Sequence, residues 1–209
     1  MKETPGLTES FNVVLLPDAA NGESAIRASE TIAKILPVEF ILGNFFLPHI
    51  TVYQAEFPKR SLKEINNSLR LISKTVKPFN VILDRYSFLG NFIFWTVKKT
   101  ASIINLHQMV LSRLNPLREG IVNKSLLAID NDVYPGDKDD VRRYGSLLVG
   151  KNYLPHLTIS CLKNRTDIRK SLNLLKKQKA IIKIDQIYLG LLREFGTVKE
   201  IVCSWPLLT

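Results

Sequence analysis

Cysteine is almost absent from this chain: Cys161 and Cys203 are its only two, and they show neither metal-site nor redox spacing. Cys161 alternates with Leu157 and Ile159, and Cys203 with Ile201 and Trp205. Both are therefore predicted as core thiols kept in a reducing compartment. Long apolar runs are missing too. Nothing approaches the roughly 20 residues a membrane helix needs, and the stretch after Met1 is too polar for a secretory leader. A soluble, cytoplasmic protein without membrane contact is expected. Acidic residues are outnumbered 19 to 29, giving a net charge of +10 over 209 residues. That surplus suits a polyanionic partner such as nucleic acid, although charge alone does not separate this from plain solubility.

Histidine is scarce as well, at three residues, and two of them fall in a repeat. Leu47-Pro48-His49-Ile50-Thr51-Val52 returns 107 residues later as Leu154-Pro155-His156-Leu157-Thr158-Ile159. In a strand, positions i and i+2 share a face. Each string thus offers an imidazole beside a hydroxyl, with aliphatic residues turned the other way.

The surrounding pattern alternates strands and helices. A strand over 11–16 is followed by a helix capped at Asn21 and running to Leu36. The first His-x-Thr strand extends to Phe57. Ser61-Leu62-Lys63-Glu64 then matches a capping box, with an apolar stripe behind it. Strands are predicted over 79–86 and 91–97, and a helix over 101–115. A long polar loop spans 130–152. The second His-x-Thr strand leads into a basic helix over 166–177. Strands over 180–192 and 197–205 close the chain. Each copy therefore reads as strand, amphipathic helix and hairpin, with Trp95 and Trp205 in roughly corresponding places. This layout predicts an α+β fold of two related lobes.

Histidine titrates near neutral pH, so one ring can act as base while the other acts as acid. Cleaving a phosphodiester needs both, on opposite sides of phosphorus. Thr51 and Thr158 can donate to the non-bridging oxygens, where transition-state charge is held. His107 lies on an apolar helical stripe and is predicted as a hydrogen-bonded core residue. Asp130, Asp132, Asp137, Asp139 and Asp140 fail the calcium-loop pattern and are read as a solvated acidic loop.

The two motifs resemble those of the 2H phosphoesterase superfamily, which includes the bacterial 2′-5′ RNA ligase and RNA cyclic phosphodiesterase group. Its signature is a pair of hydrophobic-His-(Thr/Ser)-hydrophobic strings about a hundred residues apart, here with Pro48 and Pro155 just before each His. The resemblance implies one domain over residues 1–209: two antiparallel sheets with flanking helices, in a pseudo-two-fold bilobal arrangement around a central cleft. It implies catalysis by His49 and His156, phosphate binding by Thr51 and Thr158, and no metal or other cofactor. It also suggests His156 as base and His49 as acid. The implied activity is hydrolysis of 2′,3′-cyclic phosphates on RNA ends or nucleotides, by a monomer. The alternatives are ligation or cleavage of 2′-5′ linked RNA, or a nucleotide-binding module whose catalysis has lapsed.

Further residues are candidates for substrate contact. Tyr53 and Ser160 each lie four positions after a motif His. They are expected on the same strand face as that His, where Tyr53 could stack on a base and Ser160 extend the hydrogen bonding. Arg142, Arg143 and Tyr144 precede the second motif, and a guanidinium there could bind phosphate. Lys163, Arg165, Arg169, Lys170, Lys176, Lys177 and Lys179 form a basic run that could guide RNA.

Overall fold

The structure is a computed structural model that describes residues 7–129 and 138–208. Its strands are β1 (Thr8–Leu15), β2 (Ile50–Pro58), β3 (Phe79–Leu89), β4 (Phe92–Val97), β5 (His156–Cys161), β6 (Ala180–Ile184), β7 (Gln186–Leu192) and β8 (Val198–Pro206). The α-helices are α1 (Ala19–Ala33), α2 (Leu62–Ser73), α3 (Ala101–Leu114), α4 (Lys124–Leu127), α5 (Lys138–Tyr144) and α6 (Ile168–Leu174). The mixed α+β class is as the sequence predicts.

The strands join in the order β6-β3-β4-β5-β2-β1-β7-β8, with every neighbour antiparallel. Two four-stranded halves meet at the β5–β2 seam, through the single residue pair Ile50–Leu157. They form one curled sheet rather than two separate ones. Helices α1 and α6 pack on the β5 half, and α2 and α3 on the β2 half. The helix-side face of the sheet is apolar: Val13, Leu15, Ile50, Val52, Ile93, Trp95, Leu157 and Ile159 are all buried there. The other face is concave and holds the cleft.

Several local expectations change. Asp18 caps α1, its Oδ1 accepting from the Asn21 amide at 3.0 Å, so Asn21 is the capped residue and not the cap. Ser61 makes no capping bond; its hydroxyl donates to the Leu117 carbonyl at 3.0 Å instead. The predicted strand over 180–192 breaks at Asp185. Its first piece, β6, pairs with β3 at one edge of the sheet, and its second, β7, pairs with β1 and β8 near the other edge. One residue can link those places only if the sheet curls until its edges approach. This also ends the match between hairpins. Trp95 lies on β4 beside the second His strand, whereas Trp205 lies on the edge strand β8. The predicted loop over 130–152 contains α5, because Val141 is fully buried and anchors a helical turn.

No helix of the described residues is long and apolar enough to cross a membrane. Cys161 is buried and Cys203 partly so, both as free thiols. Burial, helped by the nearby Glu39 charge, pushes the Cys161 thiol up to about 12, so it is inert as a nucleophile.

Candidate active site

The seam sets the site. Ile50 and Leu157, each following a motif His, are partners across it. Antiparallel register on either side of that pair puts His49 opposite Thr158 and Thr51 opposite His156. Each imidazole thus faces the other motif's hydroxyl across a local two-fold axis. All four residues line a cleft of about 570 Å³ on the concave face.

The leucine that opens each string has a role at the site. His49 Nδ1 lies 2.7 Å from the Leu47 carbonyl, and His156 Nδ1 lies 2.6 Å from the Leu154 carbonyl. A carbonyl only accepts, so Nδ1 carries the proton in both rings and Nε2 is the nitrogen available for chemistry. In each Leu-Pro-His string, the residue two before the His therefore fixes its tautomer.

Electrostatics separate the two rings. Burial lowers the His49 pKa, while the Leu47 carbonyl and the Gly196 backbone favour its cation. His156 is pushed down to about 4, first by burial and then by the nearby His49 charge, against the Leu154 carbonyl. Its ring stacks on Phe94 with centroids 3.8 Å apart. His156 is thus held neutral, and the His49 charge adds to that, whereas the His49 shift owes nothing to a charge on His156. Thr51 Oγ1 lies 2.9 Å from Asn12 Nδ2. Accepting from that amide leaves the threonine's own proton to donate into the cleft.

Tyr53 and Ser160 do not join this face. Val13 pairs with Tyr53 but Val14 with Thr51, which leaves Val52 as an extra residue in β2. Ile93 pairs with Ser160 but Phe94 with Thr158, which leaves Ile159 extra in β5. Both strands bulge three residues after the motif His, and each bulge reverses the alternation beyond it. Tyr53 is 1% exposed, packs edge-on against Phe57, and donates from its hydroxyl to the Tyr144 carbonyl at 2.7 Å. Its edge borders the cleft, but its ring offers no stacking surface. Ser160 is fully buried with Ile93, and its Oγ has no hydrogen-bond partner among the described residues. Gln54 and Glu56 line the cleft instead. The β5 bulge also puts Cys161 on the face of Phe92 rather than that of Leu157, though it stays buried.

Arg142 and Arg143 are exposed and outside the cleft wall. Arg142 pairs with Asp139 at 2.6 Å, and the Arg143 guanidinium lies 5.2 Å from the Tyr144 ring centre. Tyr144 is half-buried and also outside the wall; the residues after it, 145–149, are the ones that line it. They are held from behind by Arg118, a buried guanidinium that donates to Asn115 Oδ1 at 2.7 Å, to the Arg143 carbonyl at 3.0 Å and to the Ile121 carbonyl. Gly145 has φ +72, and a Cβ there would come within 2.5 Å of Arg118 Nε, so glycine is required.

His107 is the predicted core histidine. It is fully buried, 2.7 Å from the Val52 carbonyl through Nδ1, and accepts the Gly150 amide at Nε2 at 2.9 Å. Tyr153 stacks on it at 3.8 Å and donates to the Thr51 carbonyl at 3.0 Å. Together they satisfy the β2 carbonyls where that strand diverges from β5. Asp130, Asp132 and Asp137 lie outside the described residues. Asp139 is the partner of Arg142, and Asp140 accepts from Asn152 at 2.7 Å. Among the described residues no three His, Cys, Asp or Glu side chains are placed to hold a metal ion.

Sequence reasoning missed Phe92, Phe94 and Arg193, all of which line the cleft. The two phenylalanines alternate with the core residues Ile93 and Trp95, but which face met the His strand depended on the pairing partner.

The profile of the 2′-5′ RNA ligase superfamily matches residues 44–192. No curated protein matches the chain in sequence. Among solved structures, TT0787 of Thermus thermophilus superposes with a TM-score of 0.59 at 12% identity, covering 95% of this chain and 97% of its own. LigT of E. coli in apo form gives 0.56 at 12% identity, covering 98% and 100%. LigT complexed with 3′-AMP gives 0.55 at 13% identity, covering 97% and 99%. At these identities the likeness is one of fold.

Proposed function

The chain belongs to the 2′-5′ RNA ligase superfamily, and from that premise we propose that it is a phosphodiesterase that opens 2′,3′-cyclic phosphates by acid–base catalysis between His49 and His156. The observation that carries this reading is the seam. Two His-x-Thr strands meet antiparallel, with Nδ1 of each ring bound to a backbone carbonyl and Nε2 turned to chemistry.

In this mechanism the cyclic phosphate lies between the rings, with its non-bridging oxygens on Thr51 and Thr158. Nε2 of His156 removes a proton from water, and the water oxygen attacks phosphorus. The opposite P–O bond to the ribose breaks, and the departing oxygen takes the proton from Nε2 of His49. The products are a phosphomonoester and a free ribose hydroxyl. The electrostatics favour these roles, since the His49 charge disfavours a cation on His156 while two backbone groups support the His49 cation. An anionic substrate raises both rings and supplies the pull that protonates His49 on binding. No step calls for a metal. That E. coli LigT has been crystallised with 3′-AMP supports a nucleotide-sized ligand in this fold.

The cleft continues along β2 past the bulge, where Gln54 and Glu56 present polar side chains. That extension favours a second reading, in which the same pair acts on a 2′-5′ linkage in a longer RNA. The test is a panel of 2′,3′-cyclic nucleotides and 2′-5′ linked oligonucleotides incubated with EDTA, with products resolved as 2′- or 3′-phosphates. Cyclic phosphates should open, and His49→Ala and His156→Ala should each lose about a hundredfold or more in turnover. Near-wild-type rates in either variant would refute the assignment. Tight binding without turnover across the panel would leave a binding module.

A further inference from the structure

The cleft leaves unused the most strongly charged stretch of the chain. Residues 163–183 carry eight Lys or Arg against the single Asp167, which is most of the net charge of +10. Two of the eight, Arg165 and Arg169, border one groove. This second groove, of about 450 Å³, lies between α6 and the tip of the β3–β4 hairpin, bordered by Phe88, Arg165, Thr166, Arg169 and Asn173. Ile168 and Leu172 of α6 form its floor.

Phe88 is 48% exposed, although it is a large aromatic ring on a strand. It pairs with Ile93 and so lies on the helix side of the sheet, beyond the cover that α6 provides. Phe92, one step along the same hairpin, is turned the other way and lines the cleft. The hairpin tip at Gly90-Asn91 is therefore the ridge between cleft and groove. Arg165 and Arg169 are exposed, and among the described residues neither makes an ion pair. Lys179, by contrast, is held by Asp84 at 3.4 Å.

We propose that this groove holds single-stranded RNA outside the catalytic cleft, with Phe88 stacking on a base and Arg165 and Arg169 binding the flanking phosphates. An exposed ring beside two unpaired guanidiniums is what sequence-tolerant single-strand binding requires, because every base has a π-face and every phosphate a charge. Thr166 and Asn173 supply polar groups within reach of base edges. The hairpin tip gives the strand a short route from cleft to groove. The groove thus grips the body of an RNA whose end is processed between the histidines. The proposal rests on the reading of the cleft as an RNA-end or nucleotide site, but it is testable apart from that reading.

The test has two arms on the full chain. The first measures anisotropy of a labelled single-stranded RNA of about twelve nucleotides, long enough to reach beyond one cleft. Phe88→Ala should weaken its binding about tenfold, the loss of one stacked base. Phe88→Trp should retain binding, and Arg165→Glu with Arg169→Glu should abolish most of it and flatten the salt dependence. The second arm measures turnover of a 2′,3′-cyclic mononucleotide, which all these variants should leave unchanged. If RNA binding is unaffected in Phe88→Ala and in the double Glu variant, the groove is refuted even where the mononucleotide is hydrolysed. If polyglutamate blocks or replaces RNA as well as RNA itself does, or Phe88→Ala and Phe88→Trp bind alike, only unspecific charge is at work and the stacking groove is refuted. If no mononucleotide is hydrolysed but Phe88→Ala still loses RNA, the groove stands and the cleft reading falls.

Discussion

Replacing His156 with Gln should flatten the acid side of the stability profile. In the unfolded chain His156 titrates near the ordinary value of 6.5; in the folded chain it is pushed down to about 4. Between those values the unfolded state binds a proton that the folded state refuses. Stability therefore rises with pH through this window, is fully present above 6.5, and is lost as pH falls toward 4. At about pH 4.5 the loss from a shift of this size is about 2.5 kcal/mol as an upper bound. Part of the ring is open to the cleft, where water screens it, so about 1–2 kcal/mol is the figure to look for. His49 shifts in the same direction and is common to both proteins, so the difference between them isolates His156. The assay is urea unfolding of wild type and His156→Gln at about pH 7.5, 5.5 and 4.5, with stability taken from midpoint and slope. Wild type should lose its advantage over the variant as pH falls. Curves that stay parallel over the whole range would show that His156 is not held neutral by its surroundings, and would remove the physical basis for naming it the base.

Phe94→Ala removes the ring stacked on His156. The His156 pKa should climb toward its ordinary value, visible by NMR titration, and the acid limb of the activity profile should move up with it. Tyr53→Phe deletes a hydroxyl bonded in the core; it should cost about 0.5–1.5 kcal/mol in chemical denaturation and leave KM for nucleotides unchanged, whereas a base-stacking Tyr53 would change KM. His107→Phe loses both the Val52 and Gly150 bonds and should destabilise by about 2–3 kcal/mol. Activity in the folded fraction should keep its pH profile, since His107 moves no substrate proton. Gly145→Ala meets both a positive φ and the Arg118 guanidinium, and should lower Tm with a cost of about 1–3 kcal/mol.

The His49 and His156 motifs were legible because their chemistry and strand parity are both local. Ile50 and Leu157 faced the core for the same reason. Parity failed at Tyr53 and Ser160, because a bulge is set by the partner strand: Val13 and Val14 decide where Val52 is skipped, and nothing next to Val52 announces it. The break at Asp185 was hidden in a similar way. Residues 180–192 have strand composition throughout, and only the curl of the whole sheet sends the two pieces to opposite edges. Arg142 and Arg143 looked available as lone cations before a motif. Asp139 takes the first, and α5 carries both away from the cleft. Phe94 was invisible as a site residue, because an aromatic in an apolar strand is ordinary until the strand beside it is known.

The sequence repeat and the two halves of the sheet do not divide the chain at the same place. The half that carries His156 is built from β3, β4, β5 and β6 with α1 and α6; the half that carries His49 takes β1, β2, β7 and β8 with α2 and α3. The second of these halves draws its strands from both ends of the polypeptide, and the first takes its strands from the stretch between them. Cutting the chain between the motifs would therefore leave two fragments, neither with a complete layer to bury. Most of the sheet pairs residues far apart in sequence, a topology that folds slowly. As a ribosome releases the chain, His49 emerges early, but His156 follows 107 residues later on β5, the strand that meets β2 at the seam. The two histidines thus face one another only once strands from both sides of that long interval have joined one sheet.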